Sequence, residues 1–159
     1  MTTDTVGRTE RRLSPALLVG GAFALSTLLN ITMHVGEILF SDHDPHGPDG
    51  PIASIASVSV VGGAALVLAV AIAVPLARDS RRARTGAVVL GSLTVVSLVV
   101  FWSGAPATLG AAAAWLGGLA KGSHPQTGVA RGVGIFGMVV AILVIVATMF
   151  GGIAGAVLD

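Results

Sequence analysis

The chain has 159 residues, of which 53% are hydrophobic and 11% are charged, and its mean hydropathy is +0.89. A single soluble core requires far less apolar surface, so this composition predicts an integral membrane protein and leaves almost nothing for a soluble domain. The net charge of +1 gives no indication of nucleic-acid binding, and the absence of cysteine excludes disulfides, thiolate metal sites and covalent haem attachment.

Four long stretches contain no Asp, Glu, Lys or Arg, and each exceeds the about 20 residues that cross a bilayer core. They are residues 13–36, 50–77, 85–120 and 132–158. We therefore expect an all-α, polytopic membrane helix bundle with five hydrophobic segments. A polar tail covers residues 1–12, and a single transmembrane domain covers residues 13–159. The lipid bilayer is the first expected partner.

The first two spans flank a segment that does not favour helix. Ser14 is a suitable N-cap and Pro15 suits a first helical turn, so the first helix is expected over about 15–40. The segment that follows holds three prolines and two glycines within residues 41–51, which favour turns. A second helix is expected over about 52–77.

The third stretch permits two interpretations because it is long for one span and short for two. A natural break at Ser103–Pro106 separates two expected helices, at about 86–102 and 107–120. If the shorter helix is a returning span, the chain has five crossings, and Lys121 and Arg131 are cytoplasmic, as the charge rule favours. If it is a re-entrant or interfacial helix on the outer side, the chain has four crossings.

The last span, about 132–157, is rich in glycine. Gly151 and Gly155 form a small-xxx-small pair, which favours close helix packing and therefore a homo-oligomer or a larger membrane complex. Glycine is also common throughout the chain, with 22 copies, so composition alone explains the pair equally well. Residues 132–137 spell the dinucleotide fingerprint, but no βαβ unit surrounds them, and nucleotide binding is not expected.

Basic residues are distributed unevenly along the chain. Arg8, Arg11 and Arg12 precede the first span, and four arginines lie within residues 78–84. Since basic loops are retained in the cytoplasm, we expect a multi-pass protein of the cell membrane with a cytoplasmic N-terminus. The first loop between spans contains three aspartates and no Lys or Arg, so it is expected to be extracytoplasmic.

A line of polar residues interrupts the first apolar stretch. Its members are spaced three or four residues apart, so they share one face of a helix, and we call them the polar seam: Thr27, Asn30, His34, Glu37 and Ser41. Titratable groups on a membrane helix are costly and usually face a bundle interior or a wet cavity. Alternatively, if the hydrocarbon begins near Pro15, the outer members lie at the membrane surface and are simply solvated.

The seam continues into a segment that is dense in imidazole and carboxylate. Such groups are ligands for divalent metals, and the candidate set is His34, Glu37, Asp42, His43, Asp44 and His46. No standard zinc spacing is present, and an acidic segment with Pro and Gly is often only a solvated connection. His124 can join such a site only in the four-crossing interpretation.

These patterns leave three functional hypotheses open. The leading one is a small, non-enzymatic accessory or assembling subunit with a polar, extracytoplasmic, histidine-containing face. The second is a transporter or sensor that handles a proton or a divalent cation through Asn30, His34, Glu37 and the 42–49 segment. The third is a metal-dependent membrane enzyme. No catalytic residue is assigned, and a divalent metal is the only cofactor that the sequence indicates.

Overall fold

The computed structural model describes residues 13–40 and 50–158, and every regular element within those ranges is helical. The all-α prediction is therefore confirmed for the described part of the chain. Four helices are long and apolar enough to cross a membrane, and they cover Pro15–Gly36, Ile52–Leu76, Ser80–Ser103 and Gly128–Gly151. The fifth hydrophobic segment is also helical, but it is shorter than these four.

The first long helix is continuous but contains one wide turn. Helix α1 covers Pro15–Phe23, a π-helical turn covers Ala24–Leu28, and α2 covers Leu29–Phe40. The helix begins where the sequence favours a beginning, since the Ser14 hydroxyl accepts a hydrogen bond from the Leu17 amide. Pro15 takes the first turn, where its missing N–H has no intrahelical partner to lose.

The next two helices are antiparallel neighbours joined by a short turn. Helix α3 covers Gly50–Leu76, and α4 covers Ser80–Ser97 and continues as a 3-10 segment over Leu98–Ser103. The carboxylate of Asp79 caps α4 by accepting hydrogen bonds from the first amides of that helix. The backbone leaves helical geometry at Val100, so the 3-10 segment is kinked.

The chain then reverses direction at one residue. Gly104 has φ of 75°, a left-handed conformation that costs glycine little and other residues much more. Helix α5 follows over Ala105–Ala114 and ends in a π-helical turn over Trp115–Leu119. Helix α6, over Gly128–Leu158, completes the described chain.

Helix α5 is the centre of the bundle, because all ten of its residues are buried. Helices α1, α3, α4 and α6 all contact it. Close packing is possible because the facing residues are small: a Cβ placed on Gly110 meets the Gly137 carbonyl oxygen at 2.4 Å, and one on Gly117 meets the Gly134 Cα at 2.7 Å. Short length and low side-chain bulk therefore favour an enclosed position for α5 rather than one on a surface.

Many large apolar side chains point away from this centre, although Leu90 and Leu116 are buried. Val60, Val99 and Phe150 are 69%, 77% and 68% exposed, whereas Ala107 and Ala111 of α5 are fully buried. A soluble protein buries most of its large apolar residues, so this extensive exposure favours an apolar surrounding such as lipid. The fold thus supports the membrane class independently of hydropathy.

Two hydrogen bonds show in which direction α5 runs. The Lys121 amide donates to the Leu13 carbonyl at 2.8 Å, and the Gln126 side-chain amide donates to the Ser80 carbonyl at 3.0 Å. The segment after α5 therefore returns to the end of the bundle where α1 and α4 begin. We call this the basic end, because it holds all the Lys and Arg residues that the structure describes: Arg78, Arg81, Arg82, Arg84, Lys121 and Arg131.

Candidate functional site

The inner part of the polar seam contacts the reversal between α4 and α5. The side chains of Ser26, Thr27 and Asn30 donate hydrogen bonds to the carbonyl oxygens of Gly104, Ser103 and Trp102, respectively. The Ser26 and Thr27 bonds are 3.3 and 2.8 Å long. Three side chains on one helix thus bind three successive carbonyls on another. We call this arrangement the seam–reversal contact.

The π-helical turn of the first helix places two adjacent hydroxyls in this contact. Ser26 and Thr27 are both completely buried. In a regular α-helix, neighbouring side chains point about 100° apart and seldom face one partner together, whereas a π turn is wider. The single proton of the Ser26 hydroxyl is shared between the Gly104 carbonyl and the Ala22 carbonyl, which is nearer at 2.6 Å. The three-and-four spacing of the seam omitted Ser26, because that spacing assumes regular α-helical geometry.

Other hydroxyls complete the hydrogen bonding of the reversal. The Ser103 hydroxyl donates to the Val100 carbonyl at 2.7 Å and accepts from the Ala105 amide at 3.2 Å. The Thr108 hydroxyl donates to the Gly104 carbonyl at 3.3 Å. The Gly104 carbonyl also accepts a hydrogen bond from the Thr108 backbone amide at 3.2 Å. A buried backbone carbonyl without any partner is costly in an apolar medium. These bonds satisfy the broken backbone without water.

This chemistry is structural in character. Every hydroxyl of the contact donates its proton to a backbone carbonyl, so none is paired with a base that would make it a nucleophile. Within the described ranges, no buried side-chain nitrogen or oxygen is left without a hydrogen-bond partner. The Thr27 hydroxyl proton and one amide proton of Asn30 therefore join the first helix to the reversal.

The outer part of the seam is described only in part. His34 is half-buried and lies about one helical turn beyond Asn30. The side chain of Glu37 and the residues Ser41, Asp42, His43, Asp44 and His46 lie outside the described part of the chain. Among the residues that are described, no three His, Asp or Glu side chains come together as metal ligands. The metal site stays a prediction.

His124 lies at the basic end of the bundle. It lines a cavity there together with Pro15 of α1, and it is close enough to Asp79 to influence the carboxylate electrostatically. Residues 41–49, in contrast, connect Phe40 of α2 to Gly50 of α3, which are the ends of those helices distant from Pro15 and Leu76. The structure thus separates His124 from the outer end of α2 by the length of the first helix.

The cavity at the basic end is the second candidate site. Its volume is about 130 Å³, and its lining residues come from α1, the α3–α4 turn and the segment after α5: Pro15, Ala77, Ala83, Trp115, Leu116, Gly122, Ser123 and His124. Beside it, hydrogen bonds from the amides of Arg82 and Arg81 hold the pKa of Asp79 below its usual value. Sequence reasoning missed this cavity because its walls come from segments distant in the chain.

Gly151 of the predicted helix-packing pair has a different environment from the packed glycines, and the surroundings of Gly155 lie outside what the structure describes. Gly151 is exposed, and a Cβ placed on it meets nothing within 4 Å. Gly134 and Gly137, which belong to the fingerprint motif, instead pack against α5. Close helix packing inside the chain therefore uses the first part of α6, and the surface at Gly151 is open to another molecule.

Comparisons with family models, with curated proteins and with solved structures found no match for this chain.

Proposed function

We propose that this chain is a small, non-enzymatic polytopic membrane protein that serves as an accessory or assembling subunit. The seam–reversal contact carries this proposal, because the inner seam residues Thr27 and Asn30 donate to backbone carbonyls and thereby join helices. A polar network of this kind stabilises one arrangement of helices, which is the property that a packing subunit requires.

The proposal includes a topology with five membrane segments, a cytoplasmic N-terminus and an external C-terminus in the cell membrane. Support comes from the basic end, where α4 leaves and α5 returns, so that the six described cations lie on one side together. Helix α5 and its π turn span only about 22 Å, less than the about 30 Å hydrocarbon thickness. A short segment is tolerated there because its reversal is enclosed by protein.

Assembly is proposed to use the outer part of α6. Large apolar residues surround Gly151 on that helix, including the exposed Met149 and Phe150. An exposed glycine among them provides a shallow surface on which a second copy of the chain can pack closely. The partner in the proposed assembly is therefore another copy, and the oligomer forms within the bilayer.

The test compares two exposed glycines of the same helix. We expect Gly151→Leu, and in addition Gly155→Leu, to convert the detergent-solubilised oligomer to a smaller species in size-exclusion chromatography with light scattering. Gly132→Leu is the matched control, because Gly132 is also exposed with nothing within 4 Å of a Cβ. If all three variants keep the oligomeric mass of the unmodified chain, the proposed assembly surface is incorrect.

A further inference from the structure

The cavity at the basic end has two chemically different walls. Pro15, Trp115 and Leu116 provide an apolar wall, and Ser123 and His124 provide polar groups. Since about 15 Å³ of such space holds one water molecule, a cavity of about 130 Å³ admits a group as large as a phosphate. An amphipathic ligand fits this combination of surfaces better than a purely polar or a purely apolar one.

Cationic residues adjoin several lining residues of the cavity in the sequence. Arg78 follows the lining residue Ala77, Arg82 and Arg84 flank Ala83, and Lys121 precedes Gly122. Asp79 is the one carboxylate that the structure describes at this end, and its oxygen is occupied by the amides of Arg81 and Arg82. Asp79 interacts electrostatically with Arg82 and His124, but one carboxylate cannot balance the six described cations of the basic end, so the net charge of the described residues there is positive.

We propose that this cavity binds the headgroup of one anionic phospholipid from the surrounding leaflet. The phosphate lies near Ser123, His124 and the flanking cations, and the glycerol and first acyl carbons lie against Trp115 and Leu116. Basic pockets between membrane helices recognise anionic headgroups in this way, and tryptophan is favoured at the depth of the headgroup region. The inference concerns the basic end alone and is independent of the assembly surface on α6.

The experiment measures thermal stability of the full chain in neutral detergent. Phosphatidylglycerol is expected to raise the unfolding midpoint by about 5 °C more than phosphatidylcholine at the same concentration, because a ligand that binds only the folded state stabilises it. The same midpoint is measured separately with inorganic phosphate in place of lipid. We expect phosphate to give no comparable rise, because it lacks the glycerol and acyl groups that contact the apolar wall.

Two variants with matched charge changes locate the site. Lys121→Gln combined with His124→Gln is expected to reduce the phosphatidylglycerol effect by at least half. Arg131→Gln is the control, because it removes a cation at the same end from a residue that neither lines the cavity nor adjoins a lining residue. Circular dichroism checks that each variant is folded.

Several results would overturn the proposal. The first is an equal unfolding midpoint in phosphatidylglycerol and in phosphatidylcholine. The second is a phosphatidylglycerol effect that Arg131→Gln reduces as much as the double variant does. The third is a rise in midpoint with inorganic phosphate as large as that with phosphatidylglycerol. If the double variant does not fold, the difference in midpoint of the unmodified chain between the two lipids still tests the proposal, because that comparison needs no substitution. An unchanged oligomer in the Gly151→Leu experiment leaves this lipid result unaffected, so the two proposals fail separately.

Discussion

The hydroxyl of Thr27 donates a hydrogen bond to the Ser103 backbone carbonyl oxygen at 2.8 Å, across 76 residues of sequence, and both residues are completely buried. This bond joins the middle of the first helix to the point where α4 ends and the chain reverses. Gly62 of α3 borders the same place, since a Cβ there meets the Thr27 methyl group at 2.4 Å. Three helices thus meet around one hydroxyl.

Removing that hydroxyl is expected to destabilise the fold. Thr27→Val keeps the shape of the side chain but leaves the Ser103 carbonyl without this donor, at a cost of about 1 kcal/mol or somewhat more. Unfolding by a denaturing detergent, followed by circular dichroism, measures the loss. Thr32→Val is the control, because the exposed Thr32 hydroxyl donates only to Leu28 within its own helix. Equal losses in both variants would show that the interhelical bond has no special role.

The close approach of α5 and α6 predicts opposite effects at two glycines of one helix. Gly137→Ala places a Cβ 2.5 Å from the Gly110 carbonyl oxygen, so the helices must separate, and we expect a loss of about 1–3 kcal/mol. Gly132→Ala meets nothing within 4 Å, and it should be neutral or stabilising by up to about 1 kcal/mol through helix propensity. The same detergent unfolding measures both changes. A neutral Gly137→Ala would contradict the close packing.

The proposed topology is tested by labelling single cysteines in intact cells, since the chain contains no cysteine of its own. His124→Cys is expected to be protected from a membrane-impermeant maleimide until the cells are opened, because His124 lies at the basic end. Asp44→Cys, in the segment between α2 and α3, is expected to react from outside. Labelling of His124→Cys in intact cells would contradict the proposed cytoplasmic position of the basic end.

The cap of α4 predicts a pH dependence of stability. The pKa of Asp79 is lowered by hydrogen bonds from the Arg82 and Arg81 amides, so the folded state favours the charged carboxylate. Its stabilising effect is fully present above the usual value of 3.8 and is lost as the pH falls through the lower folded value. Asp79→Asn should cap equally well at pH 7 and lack this dependence, whereas Asp79→Ala should be less stable at both pH values.

Thermal unfolding of the three proteins at pH 7 and pH 3 checks this prediction. Acid also affects other carboxylates, so the informative quantity is the change in midpoint of each variant relative to the unmodified chain. An identical pH dependence of the midpoint in Asp79→Asn and in the unmodified chain would show that ionisation of Asp79 does not cause it.

The apolar stretches and their flanking charges sufficed to predict the helical membrane class, because lipid solubility and basic flanks depend on local composition. The spacing of the polar seam likewise indicated that Thr27 and Asn30 share a helical face. The sequence left open what that face contacts, and it missed Ser26, because the π turn depends on the neighbour that the helix meets. The candidate metal ligands beyond Phe40 stay a prediction.

Only the tertiary structure decided the role of residues 105–119. Alanine and glycine make this segment weakly hydrophobic, and the sequence left open an interfacial helix, although the charge rule favoured a returning span. The same small residues allow four helices to approach it closely and enclose it, which buries its backbone and the reversal at Gly104. Composition determines whether a segment dissolves in lipid, but only packing determines whether it meets lipid or another helix.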